Sequence, residues 1–223
     1  MGIILGYLCV ICFILLAVKA ITHRCHLTKI DRALMKIHKP VSAAMLLLSL
    51  VHLIAVIPVL KNRAWFVNVS GIIIIVLIPV LIALCHMMKK REKRMQWHRI
   101  MTVILLIGVA VHMVVYFVDF AEYQNKISSI EIDNVDLSQI ADGSYEGEYD
   151  AGYIYAKVRV EVKDGKIESV TLLEHRNEQG EPAEIITDDI LEQQKIDVDA
   201  ISGATNSSKV IQKAVENAIR HVK

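Results

Sequence analysis

The polar half of this sequence contains no cysteine. The four cysteines, Cys9, Cys12, Cys25 and Cys85, all belong to the apolar half, so a disulfide framework is excluded for the rest of the chain. The chain also has no marked charge excess, because its net charge is only +1, and its overall charge therefore does not indicate a nucleic-acid partner. No Gly-x-Gly-x-x-Gly motif opens a βαβ unit, which argues against direct NADH oxidation by this chain.

Apolar residues are concentrated in one part of the chain. Hydrophobic residues make up 54% and the mean hydropathy is +0.42, which is too apolar for an ordinary soluble protein, yet 22% of the residues are charged. Four apolar stretches run over residues 2–21, 40–60, 69–88 and 100–118. Each is close to the roughly 20 residues that a helix needs to cross a bilayer. The sequence therefore predicts a four-helix transmembrane domain over residues 1–120.

The charges between these stretches predict their orientation. The first loop is basic (Arg24, Lys29, Arg32, Lys36, Lys39), and so is the third (Lys89, Lys90, Arg91, Lys93, Arg94, Arg99). The second loop has only Lys61 and Arg63, and the residues after the fourth stretch are mainly acidic. By the positive-inside rule, the first and third loops are cytoplasmic, and both termini and the polar half are extracytoplasmic. The alternative, a signal peptide cleaved after Ala20, lacks a basic n-region and would leave a basic loop outside.

Four histidines are arranged as two equal pairs. His38 and His52 lie on the second predicted helix, and His98 and His112 lie on the fourth, both with a spacing of 14 positions. That spacing returns a helical side chain to within about 40° of the same face, about 21 Å further along the axis. Because the two helices run in the same direction, His38 can stand level with His98, and His52 with His112. Two imidazoles at one level can ligate a haem iron from both sides, so we expect two b haems, an inner and an outer one.

Polar contacts between helices are the alternative explanation for these histidines. His52 and His112 lie well inside apolar helices, where ionisable groups are costly and usually functional, which favours ligation. The doubled His-x13-His pattern over residues 30–118 resembles the ferric-reductase-like transmembrane family, in which paired histidines hold two b haems.

Cys9 and Cys12 could form a redox dithiol or simply pack as small apolar residues. The remaining histidines of this half lie at the cytoplasmic boundary and are expected to be solvated: His23, His26 and His86.

The polar half has the pattern of a small α+β domain over residues 141–223, preceded by a linker over residues 121–140. Strands are predicted over residues 144–149, 154–162 and 167–173, with an Asp164-Gly165 hairpin turn between the last two. Helices are predicted over residues 183–194 and 206–222, the second strongly amphipathic. The expected fold is therefore an antiparallel sheet with packed helices, on the outer side of the membrane.

A small-residue turn, Asp199-Ala200-Ile201-Ser202-Gly203-Ala204-Thr205-Asn206-Ser207-Ser208, leads into the last helix. Free N–H groups and the helix dipole favour a phosphate at such a position, although one of Thr205, Asn206 and Ser207 could instead be an N-cap. The turn resembles the flavinylation motif of the FMN-binding domain family, as do residues 142–147 and 164–167. The resemblance implies FMN linked by a phosphodiester to Thr205 by an extracytoplasmic flavin transferase, which recognises Asp199, Ser202, Gly203 and Ala204. Three residues after the third strand are expected to border the flavin: Glu174, His175 and Arg176.

Together these features predict an oxidoreductase component in the cell membrane. Electrons would pass from a cytoplasmic protein or quinol to the haem at His38 and His98, then to the haem at His52 and His112. They would continue to FMN on Thr205 and to an external acceptor. Two alternatives remain: a haem-free membrane anchor that presents covalent FMN within a larger complex, and a non-redox sensor. The sequence leaves open the donor, the acceptor, the direction of flow and the oligomeric state.

Overall fold

The computed structural model describes residues 2–177 and 179–220, without the side chains of Ala20 and His23. The chain divides into two compact units, Met1–Phe117 and Val118–Lys223, here called the N-terminal and the C-terminal unit. The first is helical and the second combines a small antiparallel sheet with helices, so the predicted fold class is confirmed. The predicted domain bounds themselves stay a prediction.

Four long helices span the N-terminal unit, and the last of them continues into the C-terminal unit. They are α1 (Gly2–Arg24), α2 (Thr28–Val56), α3 (Trp65–Met87) and α4 (Arg91–Ser128). A 3₁₀ turn, Ile57–Asn62, follows α2. By length and composition all four helices could cross a membrane, as the apolar stretches predict. α1, α2 and α4 extend beyond those stretches because charged residues at their ends remain helical, whereas α3 begins four residues earlier with an uncharged segment, residues 65–68.

The C-terminal unit has three antiparallel strands in the order β1 (Gly143–Asp150), β2 (Tyr155–Lys163) and β3 (Lys166–Arg176). Asp164 (φ 50°) and Gly165 (φ 69°) form the β2–β3 turn, and both have the positive φ that a tight hairpin turn of this kind requires. Helix α5 (Ile186–Gln193) follows a 3₁₀ turn, Glu181–Ile185, and α6 (Thr205–Arg220) ends the described chain. The predicted strands, turn and helices are thus confirmed, while residues 221–222 of the last predicted helix lie outside the described residues.

The core of the C-terminal unit lies between the sheet and α6. Alternate residues of β2 are buried on one face (Ala156, Val158, Val160, Val162), and so are residues of α6 at helical spacing (Val210, Ile211, Ala214, Val215, Ala218, Ile219). A Cβ added to Gly147 of β1 would lie 2.3 Å from the Ala214 carbonyl oxygen and 2.3 Å from the Ala218 nitrogen. Glycine at this position therefore permits α6 to pack directly on the backbone of β1.

The segment predicted as a linker takes part in this core. Helix α4 extends to Ser128, and Tyr123, Ile127 and Ile130 are buried with the residues of the sheet and α6. Tyr123 and Ile127 are one helical turn apart, so both face the same side. Polar residues surround these few apolar positions in the sequence, which explains why the segment has the composition of a tether and yet packs as part of the unit.

Candidate functional site

Two histidines from different helices approach each other in the N-terminal unit. The ring centroids of His38 on α2 and His98 on α4 are 6.0 Å apart, with an angle of 71° between the ring planes. Metal–imidazole bonds of about 2 Å on opposite sides of one ion leave the ring centres about 6 Å apart. The separation of this first pair therefore fits one iron between the rings. The Nδ1 atom of His98 lies 3.4 Å from the Cys85 sulfur, a contact that leaves its Nε2 atom free to ligate.

The second pair is His52 on α2 and His112 on α4. Their Nδ1 atoms both have oxygen partners: Gly2 O at 2.9 Å for His52 and Ser70 Oγ at 2.8 Å for His112. A metal-bound histidine commonly uses its second ring nitrogen in this way, which fixes the ring and presents the other nitrogen to the metal. The residues of the second pair thus fit the role of haem ligands.

The spacing of the helices is compatible with a flat macrocycle between the histidine-bearing ones. The backbones of α1 and α2 lie close together at many positions, and α2 also approaches α3. The backbone of α4 comes close to the other three helices at few positions. No group of three or more potential His, Cys, Asp or Glu ligands occurs among residues 2–177 and 179–220. A haem iron held by two imidazoles needs only two side chains, because the porphyrin supplies its other four ligands.

The loop before α6 carries the motif identified in the sequence. Asp199, Ser202 and Gly203 are exposed and Ala204 is buried. Gly203 has φ 79°, and a Cβ added there would meet no atom within 4 Å, so the space beside it is open. The Ser208 hydroxyl braces the loop: it accepts from the Ile201 N–H at 3.0 Å and donates to the Ala204 carbonyl at 3.1 Å.

Thr205 is the first residue of α6, and its side chain is exposed. Asn206 donates to the Tyr123 hydroxyl at 3.0 Å, and the buried Ser207 hydroxyl has no hydrogen-bond partner among the described residues. Within the described part of the chain, therefore, none of these three side chains caps the helix. The first N–H groups of α6 remain available to an anionic group, beside an accessible Thr205 hydroxyl.

The other residues predicted to border the flavin contact one another and their neighbours on the sheet. His175 Nδ1 lies 2.9 Å from Glu184 Oε1, and Arg176 lies over the Tyr155 ring at 4.3 Å and 3.2 Å from Glu174. Across the residues that the structure describes, no hydrogen bond or ion pair joins them to Thr205. Their predicted place beside the flavin remains a prediction.

Sequence reasoning missed an aromatic cluster beside the motif. The rings of Tyr123 and Tyr153 stack at 4.5 Å with an angle of 14°, and the Tyr153 hydroxyl donates to Asp119 at 2.7 Å. Asn206 joins this cluster through Tyr123. The contacts link residues that are 30 to 83 positions apart, so no local pattern in the sequence could have indicated them.

Comparison with protein families gives one finding for this unit. Residues 151–220 match the model of the FMN-binding domain, a segment that runs from before β2 to the end of α6 and includes Thr205. The comparison with curated proteins and the comparison with solved structures gave no match. The family match supports FMN as the ligand of the C-terminal unit and suggests a flavin-carrying redox role.

Proposed function

We propose that this chain moves electrons across a membrane, through two b haems held by His38/His98 and His52/His112, to an FMN bound covalently at Thr205. The observation that carries the proposal is the 6.0 Å separation between the first pair of rings, which suits one iron between two imidazoles. The family match at residues 151–220 supports the flavin at the other end of the route. Haem supplies one-electron chemistry and FMN can exchange one or two electrons, so the protein's part is to hold both in place.

The proposed linkage rests on the surroundings of Thr205. Its side chain is exposed at the N-terminus of α6, and the open space at Gly203 allows another molecule to approach the backbone. In the linking step the Thr205 oxygen would bond to the FMN phosphorus of a flavin dinucleotide, lose its proton, and release the nucleotide monophosphate. An extracytoplasmic flavin transferase would catalyse this step, with Asp199, Ser202, Gly203 and Ala204 as its recognition sequence.

The proposed direction rests on the distribution of charge. The basic segments at residues 24–39 and 89–99 face the cytoplasm, and both termini and the C-terminal unit lie outside, in a multi-pass protein of the cell membrane. Electrons enter from a quinol or a cytoplasmic protein at His38/His98 and leave FMN for an external acceptor. The chain is thus an oxidoreductase component whose partners are its donor, its acceptor, the flavin transferase and membrane lipid.

Flavin attachment is tested on the full chain co-expressed with a flavin transferase. We expect a fluorescent band on a denaturing gel and a flavin-modified peptide that contains Thr205. Thr205→Ala abolishes both, whereas Thr171→Ala, an exposed threonine on β3, leaves both unchanged. Wild-type protein that carries no flavin after co-expression, or flavin that persists in Thr205→Ala, contradicts the proposed linkage.

Haem binding is tested by the pyridine haemochrome assay on protein expressed with ample haem. We expect two haems per chain in the wild type and one in each of His98→Ala and His112→Ala. His86→Ala is the control, because that ring lies near the end of α3 with its Nδ1 atom on the Ile82 carbonyl. If the wild type contains no haem but still carries FMN, the four helices serve as a haem-free anchor and the transmembrane route is rejected.

A further inference from the structure

Each imidazole of the second pair packs against a glycine of the preceding helix. A Cβ added to Gly6 of α1 would lie 3.3 Å from Cε1 of His52, and one added to Gly71 of α3 would lie 3.2 Å from Cε1 of His112. Both distances are shorter than an ordinary van der Waals contact, so the rings lie directly on the helix backbone. The Cε1 atom lies between the two ring nitrogens, so this contact fixes the position of both.

The hydrogen bonds of these rings determine which nitrogen carries the proton. Gly2 O can only accept, so Nδ1 of His52 must donate to it. With the Ser70 hydroxyl donating to the Val67 carbonyl at 2.9 Å, its oxygen is left to accept from Nδ1 of His112 at 2.8 Å. Both rings therefore carry their proton on Nδ1, which leaves the lone pair of Nε2 for a metal.

Comparable residues elsewhere in the same unit lack these contacts. The Ser49 hydroxyl also donates to the carbonyl three residues earlier, Leu46 O at 2.8 Å, but no histidine among the described side chains bonds to it. A Cβ added to Gly108 of α4 would lie 3.6 Å from the Ile74 side chain, which is an ordinary contact. The contact with His112 thus distinguishes Ser70 from Ser49, and the close approach of the His112 ring distinguishes Gly71 from Gly108.

We propose that Ser70, Gly71 and Gly6 are positioning residues for the haem at His52/His112. The two glycines set the place of each ring, and Ser70, like the Gly2 carbonyl, sets the tautomer and strengthens the ligand. An Nδ1–H that donates to oxygen makes the imidazole a stronger electron donor, which favours ferric iron and lowers the reduction potential. This inference rests on the proposed function and assigns it residues outside the ligand set.

The serine is tested with Ser70→Ala, Ser70→Thr and Ser49→Ala in the full chain. The readouts are the rate of haem transfer to an excess of a haem-acceptor protein and a redox titration that resolves the two haems. In Ser70→Ala we expect the second haem to be held about 10- to 100-fold less tightly, the usual effect of losing such a partner, and its potential to rise. Ser70→Thr keeps the hydroxyl and restores wild-type values, and Ser49→Ala changes neither.

The glycine is tested with Gly71→Ala against Gly108→Ala. The added methyl at residue 71 pushes on the His112 ring, so we expect an altered low-spin ferric EPR signal and faster loss of the second haem only. Gly108→Ala keeps both haems and both signals. The haem at His38/His98 is the internal reference in every variant, because a general folding defect would disturb it as well.

The outcomes separate the two proposals. A wild type without haem rejects the proposed function, and the inference with it. A wild type with two haems, in which Ser70→Ala matches Ser49→Ala and Gly71→Ala matches Gly108→Ala, leaves the function standing and overturns the assignment of Ser70 and Gly71. Equal loss of both haems in Ser70→Ala, without recovery in Ser70→Thr, overturns it too, since the serine would then stabilise the helices in general.

Discussion

The two units of the chain differ in how much of their apolar surface they bury. In the C-terminal unit a continuous apolar core joins one face of the sheet, α5, α6 and the end of α4. In the N-terminal unit the largest cluster of buried apolar residues is small, with Phe13, Met45, Ile78 and Leu105 at its centre. Large apolar side chains point outward there, as in Ile54 (66% exposed) and Ile107 (59%). The first arrangement is stable in water, whereas the second places its apolar surface where lipid can cover it.

The largest effect is expected where α6 crosses β1. Gly147→Ala would force a Cβ to within 2.3 Å of two backbone atoms of α6, and no side-chain rotation can relieve that overlap. We expect the C-terminal unit to lose its fold, at a cost above the about 2–5 kcal/mol of a large-to-small core substitution. Limited proteolysis of the full chain in detergent measures this as rapid cleavage after residue 118, with the N-terminal unit intact.

Gly143→Ala is the matched control on the same strand, because the three atoms nearest to its added Cβ all belong to the Tyr145 side chain, the first at 3.2 Å. Protease resistance close to that of the wild type is expected for this variant. Equal resistance of the two variants would mean that α6 does not pack directly on β1. The C-terminal unit would then not differ from the N-terminal unit by tighter packing at this contact.

The same substitution, isoleucine to alanine at a buried position, can be compared between the two units. Ile211 and Ile78 are both buried, at 0% and 3% exposure, one in each unit. Ile211→Ala should cost about 2–5 kcal/mol, since it loses both the transfer from water and the packing contacts. Ile78→Ala should cost less, because lipid is as apolar as the helix interior and only packing is lost. Urea-dependent pulse proteolysis, read separately for each unit, gives both values; a larger loss for Ile78→Ala would contradict this account.

Periodic features of this fold could be predicted from sequence. The four apolar stretches, the alternation along β2 and the turn at Asp164 and Gly165 all depend on local spacing, and all are present in the structure. Features that depend on distant partners could not be predicted. Tyr123 is buried because α6 and Tyr153 cover it, and Ser70 contacts His112 only because α3 lies beside that ring. The histidine pairs and the motif before α6 could thus be picked out from sequence as candidates, whereas the residues that contact them in the structure could not.

A buried carboxylate in α6 also has partners that local sequence patterns do not indicate. Its substitution is expected to have a smaller effect on stability than the two substitutions above. Glu216 is 0% exposed, and its oxygens lie 2.8 Å from Lys213 Nζ and 3.0 Å from Arg220 Nη1. Arg220 also pairs with Asp133 at 2.5 Å, which ties the segment before β1 to α6. Glu216→Gln keeps the shape and removes the charge, so we expect a loss of about 1.5–3 kcal/mol in the stability of the C-terminal unit.

The measurement for Glu216→Gln is again pulse proteolysis, with Glu192→Gln on the exposed side of α5 as the control. The two cations are partly exposed, so water can solvate them once the carboxylate is gone, which limits the cost. A variant as stable as Glu192→Gln would show that the charge network contributes nothing beyond the apolar packing around it.

The smallest effect is expected on the open face of the sheet. Glu146 of β1 lies 2.9 Å from Lys157 and 2.6 Å from Arg159 of β2. The hydrogen bonds from Lys157 and then Arg159 lower the pKa of the Glu146 carboxyl below its ordinary value of 4.5. A carboxyl with a lower pKa in the folded state adds stability above its unfolded pKa, and loses it as the pH falls through the folded pKa.

The stability of the C-terminal unit should therefore decline as the pH falls below about 4.5, and part of that decline should be absent in Glu146→Gln. Because the pair is exposed, added salt should reduce the difference between variant and wild type. Glu168→Gln, an exposed position on β3, should follow the wild-type profile. Identical pH profiles for Glu146→Gln and wild type at low salt would show that this cross-strand cluster leaves the stability unchanged, and that the unit depends on its core alone.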